Sequence, residues 1–69
     1  MKFYEVVMEL ISGTRKIGKT SMRLAAKSRF EAAIQAEKLT DADYGESVYS
    51  HALKVERISS FEYGHRLAA

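Results

Sequence analysis

The chain contains no cysteine and no proline among its 69 residues. Without cysteine it has neither disulfides nor a thiolate zinc site to staple a small fold, and it carries no mark of an oxidising compartment, so the expected location is cytoplasmic. Without proline it has no rigid linker, which fits one domain over residues 1–69 with an ordered core at about 2–58 and a partly ordered tail at 59–69. No apolar run approaches the length of a membrane span. Glu5 and Glu9 interrupt the first twelve residues, MKFYEVVMELIS, and no small-residue cleavage site follows, so a secretory leader is not expected. Acid is also missing from one long stretch: between Arg15 and Arg29 there are six basic residues and no acidic one.

What is present fits an ordered globular chain, with 46% hydrophobic and 29% charged residues. A domain this small buries only about 60% of its unfolded surface. Its core rarely supplies more than roughly 3–5 kcal/mol. Stability must therefore come from close packing or from association with a second chain. The net charge of +2 hides an asymmetry: residues 1–30 hold seven bases and two acids, whereas residues 31–69 hold four bases and seven acids. Such asymmetry points to an anionic or acidic partner, or to a solvated hairpin balanced by the acidic half of the same fold.

Residues 3–11 alternate, with Tyr4, Val6, Met8 and Leu10 in a wholly apolar row and Phe3, Glu5, Val7, Glu9 and Ile11 in a mixed one. That period predicts a strand whose first row faces the core. Ser12-Gly-Thr-Arg-Lys-Ile-Gly18 reads as a turn region. Beyond it Thr20, Met22, Leu24 and Ala26 form a second apolar row, opposite Lys19, Ser21, Arg23 and Lys27. A turn centred on Lys16 would set Leu10 against Met22, Met8 against Leu24, Glu9 against Arg23 and Glu5 against Lys27, matching apolar rows and opposite charges together.

Ser28-Arg-Phe-Glu31 has the form of a capping box, in which Glu31 reaches back to the Ser28 amide, and residues 31–40 are rich in helix formers. Phe30, Ala33 and Ile34 are expected on the buried side, with Ala36 and Thr40 at its edge, and Gly45 is the expected stop. Tyr49, His51, Leu53 and Val55 alternate within residues 47–58 and predict a third strand, with His51 half-buried. Phe61 and Tyr63 are expected to tuck against the domain, and the last few residues to fray. The fold class is therefore α+β: a three-stranded antiparallel sheet in the order β-β-α-β, first strand central, with one helix packed on one face and a right-handed crossover. The other face carries Phe3, Val7 and Ile11. That strip is either covered by Phe61, Tyr63 or the tail, or free to form an apolar interface with a partner or a second copy.

Gly13-Thr-Arg-Lys-Ile-Gly-Lys19-Thr20 matches the phosphate-loop string G-x-x-x-x-G-K-[ST]. Its mechanism requires a helix opening at the motif, whereas residues 20–26 read as a strand, so a nucleotide site is not expected. His51 and His65 lack a second ligand at metal spacing. Asp41, Asp43 and Glu46 lack the spacing of a calcium loop and read as a solvated turn. One helix on three strands rarely makes a catalytic pocket. The expectation is no enzyme, no catalytic residue, no metal and no cofactor.

The basic run carries the functional expectation. Arg15, Lys16 and Lys19 would sit at a hairpin tip, extended by Arg23, Lys27 and Arg29, as a partner- or nucleic-acid-binding surface. In layout the chain resembles small phage-encoded anti-CRISPR proteins that inhibit type I surveillance complexes. What carries the resemblance over residues 1–58 is the opening strand Met1-Lys-Phe-Tyr-Glu-Val-Val7, a basic turn, and Ser28-Arg-Phe-Glu-Ala-Ala33. The resemblance implies that Arg15, Lys16, Lys19, Arg23 and Lys27 occupy the place where target DNA would lie along the complex. Two functions remain in view. One is a non-catalytic inhibitor or adaptor that binds a nucleic-acid-handling protein complex. The other is a small protein that binds DNA or RNA directly, with a homodimer as one form it could take. Neither involves a membrane.

Overall fold

A computed structural model describes residues 1–45 and 47–64. The chain runs β1 (Lys2–Ser12), β2 (Arg15–Ala26), α1 (Arg29–Tyr44), β3 (Val48–Ile58) and a short α2 (Ser60–Gly64). The three strands form an antiparallel sheet in the order β2-β1-β3, and α1 packs on one face of it. The α+β class and the central place of β1 agree with the sequence pattern. The frayed end expected of the sequence, and Glu46, lie outside the described residues.

The hairpin is tighter than expected. Ser12 faces Arg15 across the two residues Gly13 and Thr14, and Gly13 has φ 64°. A positive φ at the first turn residue matches the right-handed twist of the flanking strands, which is why glycine sits there. The turn is thus not centred on Lys16, and the register is displaced by four positions. Leu10 faces Gly18, Met8 faces Thr20, Val6 faces Met22, Glu9 faces Lys19 and Glu5 faces Arg23. A displacement by an even number keeps every side chain on its expected face and changes only its partner. The shorter turn brings residues at the end of both strands into the ladder instead of leaving their backbone groups unpaired. Ile17 is the extra residue of a bulge between Leu10 and Ile11.

β3 departs from simple alternation. Val7 faces Lys54 and Met8 faces Ala52, so Leu53 is an inserted bulge residue. Ala52 and Val55 pack against the core, whereas Tyr49 and His51 stand opposite Ile11 and Glu9 on the other face. His51 is exposed rather than half-buried, because the bulge, invisible to a period of two, moves the apolar row between registers.

The core is Tyr4, Val6, Met8, Leu24 and Ala26 from the sheet against Ala32 and Ala36 from α1. The helix turns a different side to the sheet from the one expected. Ala32, Ala36 and Thr40, four residues apart, are buried, while Phe30 is 77% exposed and Ile34 37%. Small side chains on the buried side let the helix lie close to the sheet, where side chains of its last turns reach β3. Phe30→Ala is accordingly expected to change the unfolding free energy by less than about 0.5 kcal/mol. A urea titration followed by circular dichroism checks this, and a loss of about 3 kcal/mol would place Phe30 in the core after all.

The helix ends follow from their caps. The Ser28 hydroxyl accepts the Glu31 amide at 3.2 Å, and the Glu31 carboxylate accepts the Lys27 amide at 3.3 Å, not that of Ser28. Gly45, at φ 81°, stops the helix and donates its amide to the Asp41 carbonyl. From the last turns, Glu37 Oε2 accepts the Ala52 amide at 2.7 Å. Asp41 Oδ1 accepts the Ser50 amide at 2.7 Å and the Ser50 hydroxyl at 2.9 Å. Asp41 is therefore a structural acceptor rather than part of a solvated turn. β3 is an edge strand, and these carboxylates occupy amides that would otherwise template another strand.

Candidate partner-binding surface

The register places the basic residues in three groups. Lys16 and Lys19 stand opposite Ile11 and Glu9 on the open face of the sheet, the face away from α1, and Arg15 stands opposite Ser12 at the turn. Residues 13–19 are all exposed, and the turn is pinned by the Tyr49 hydroxyl, which donates to the Gly13 carbonyl at 3.3 Å. Lys27 and Arg29 lie beyond the far end of β2, roughly 35 Å of strand from the tip. Arg23, between them, is drawn inward. Its Nε donates to Glu5 Oε2 at 3.2 Å and its Nη1 to the Glu62 carbonyl at 2.9 Å. The basic run is thus not one continuous patch.

Acids on the same face neutralise part of it. Lys16 pairs with Glu9 at 3.8 Å, Arg23 with Glu5 at 3.2 Å and Lys54 with Glu56 at 3.5 Å. Among the described residues Arg15, Lys19, Lys27 and Arg29 form no ion pair. Exposed pairs of this kind contribute at most about 1 kcal/mol each, so their importance here is to lower the local positive potential.

The apolar strip Phe3, Val7 and Ile11 is half-buried along its whole length. Tyr63 of α2 stacks on Phe3 with ring centroids 4.7 Å apart, and Ile58, opposite Phe3, is buried. Of the two alternatives, cover by Tyr63 is the one seen at Phe3. Ser60–Gly64, within the tail expected to be partly ordered, forms this short helix, and the sequence carries a signal for it. Ser59-Ser-Phe-Glu62 repeats the form of Ser28-Arg-Phe-Glu31, and both halves of that box are made. The Glu62 amide donates to Ser59 Oγ at 3.1 Å, and the Ser59 amide donates to Glu62 Oε1 at 3.2 Å. Arg23 then ties this short helix to the sheet.

Gly18, Lys19 and Thr20 of the phosphate-loop string all lie within β2, so the string opens no helix. Among the described residues no group of three or more His, Cys, Asp or Glu side chains is placed to hold a metal, and no helix is long and apolar enough to cross a membrane.

These features define a small α+β domain with a basic, exposed hairpin tip and a partly covered open sheet face. Compared with protein-family models, with curated proteins and with solved structures, the chain matches none.

Proposed function

We propose that the protein is a non-catalytic binding protein, an inhibitor or adaptor that engages a nucleic-acid-handling protein complex in the cytoplasm through the tip of its β1–β2 hairpin. One observation carries this reading. Seven consecutive residues, 13–19, are exposed, include Arg15, Lys16 and Lys19, and contain no acid. Guanidinium and ammonium groups at such a tip can meet carboxylates of the complex or phosphates of the nucleic acid it holds. A protein partner is favoured over bare nucleic acid by the charge layout. Glu9 and Glu5 engage Lys16 and Arg23, and Lys27 and Arg29 stand too far along the molecule to join the tip on one short phosphate track.

The test is capture of the complex from nuclease-treated cell extract by tagged protein. Arg15→Glu with Lys19→Glu is expected to abolish capture while the far-ultraviolet spectrum stays unchanged; undiminished capture would overturn the proposal. In parallel, mixed-sequence DNA at about 50 mM salt is expected to show no stable shift. A tight complex that weakens steeply as salt rises would make direct nucleic-acid binding the better account.

A further inference from the structure

The two edges of the sheet are treated differently by the fold. At β3, Glu37 and Asp41 of α1 take up the Ala52 and Ser50 amides. Those two amides therefore point away from β1. In an antiparallel ladder that makes Met8 and Leu10 face β3 without bonding to it and turn their backbone groups toward β2 instead. Continuing the same alternation along β2, Thr20, Met22 and Leu24 bond to β1, and the amides and carbonyls of Lys19, Ser21, Arg23 and Ala25 point out from the other edge. No hydrogen bond from a described residue occupies them.

We propose that this edge of β2 receives an extended acidic segment of the partner protein as a fourth strand. This deepens the reading of the basic hairpin as a protein-binding element and rests on it. Three observations select the occupant. β2 spans 12 residues, longer than most strands that need a neighbour. From Arg15 to Phe30 the chain has no acidic residue, so a second copy of β2 would offer no acid to any of these bases in any register, whereas an acidic strand would, which favours a partner over self-pairing. The two faces beside the edge also differ. Lys19, which forms no ion pair among the described residues, projects on the open face, and Arg23 stands farther along it, held by Glu5 and the Glu62 carbonyl. On the helix face Thr20 and Met22 are half-buried, because α1 leans toward β3 and leaves them partly uncovered. A strand added here meets the unpaired Lys19 ammonium on one side and apolar surface on the other, so it alternates acidic with apolar residues. Main-chain bonds would give affinity and the alternation would give selectivity.

The probe is a capped, dye-labelled peptide of about ten residues alternating glutamate and valine. Fluorescence anisotropy is expected to show saturable binding. Binding should weaken by about tenfold or more when alternate peptide amides are N-methylated, or when Ser21→Pro removes one outward amide from β2, since each change deletes strand-to-strand hydrogen bonds and leaves the protein's charge intact. Proline at an outward edge position is compatible with the sheet; a melting curve checks the variant, and the N-methylated peptide decides if that variant is unfolded. Equal affinity for the parent and the N-methylated peptide, or no binding of either, overturns the inference. So does a wild-type dimer, seen by sedimentation, that Ser21→Pro converts to monomer, which would give the edge to a second copy. If the tip charge reversal abolishes capture from extract while Ser21→Pro preserves it, strand addition fails and the hairpin reading survives. If the charge reversal also preserves capture, the hairpin reading itself fails.

Discussion

Met8→Ala is expected to lower the unfolding free energy by about 2–5 kcal/mol, enough to consume most of what a domain of this size holds. Met8 lies at the middle of the central strand, opposite Thr20 on one side and Ala52 on the other, and is fully buried. It is also the bridge to the helix, since the Thr40 hydroxyl donates to its sulfur at 3.4 Å. Truncation removes the thioether stem and leaves a void between the sheet and the two buried alanines of α1, which have no side-chain length with which to fill it. Met8→Leu, which keeps the volume, should cost less than about 1.5 kcal/mol. Urea denaturation at 25 °C separates these outcomes. A loss under about 1 kcal/mol for the alanine variant would show that the sheet and helix do not depend on this contact.

Asp41→Ala should act through a different part of the fold. It strips the acceptor from the amide of Ser50, a residue that is itself buried, and leaves the Ser50 hydroxyl with only the Glu37 carbonyl at 3.3 Å to donate to. The expected cost is about 1–3 kcal/mol. The second expected effect is association: with its acceptor gone, an outward amide of β3 becomes available to another chain. Light scattering should therefore show larger species for Asp41→Ala, and more of them for the double variant with Glu37→Ala. Asp41→Asn retains an oxygen at the same place and is expected to lie between wild type and alanine in stability. A monomeric Asp41→Ala variant of wild-type stability would mean that these hydrogen bonds neither hold the helix nor protect the edge.

The elements were legible because each has a local cause. Tyr4, Val6, Met8 and Leu10 mark β1 by period, Ser28 and Glu31 mark the start of α1, and Gly45 marks its end. What sequence could not give depended on choices that leave those local signals unchanged. The hairpin register slid by four positions because alternation is blind to even displacements; the turn conformation at Gly13 settled it. The buried side of α1 differs from the expected one because alanine and larger apolar residues occur almost all round the helix, and the deciding factor is closeness to β3, a tertiary effect. The bulge at Leu53 left no trace in the pattern. At the surface, the basic residues were visible as a run, but which of them are neutralised follows from register. Glu5 engages Arg23 rather than Lys27, and Arg23 thereby becomes a tie to α2 instead of a free contact.

The carboxylates on β3 also set an upper limit on assembly. A sheet that can lengthen from both margins propagates: every chain added offers a new place for the next. Here the Ser50 and Ala52 amides of one margin are already taken by the protein's own helix, so each molecule offers a single open margin, and two copies joined through it would present only blocked ones. Complexes built by this route should stop at one partner per molecule, and the protein should stay dispersed at concentrations where an unprotected three-stranded sheet would grow into fibres.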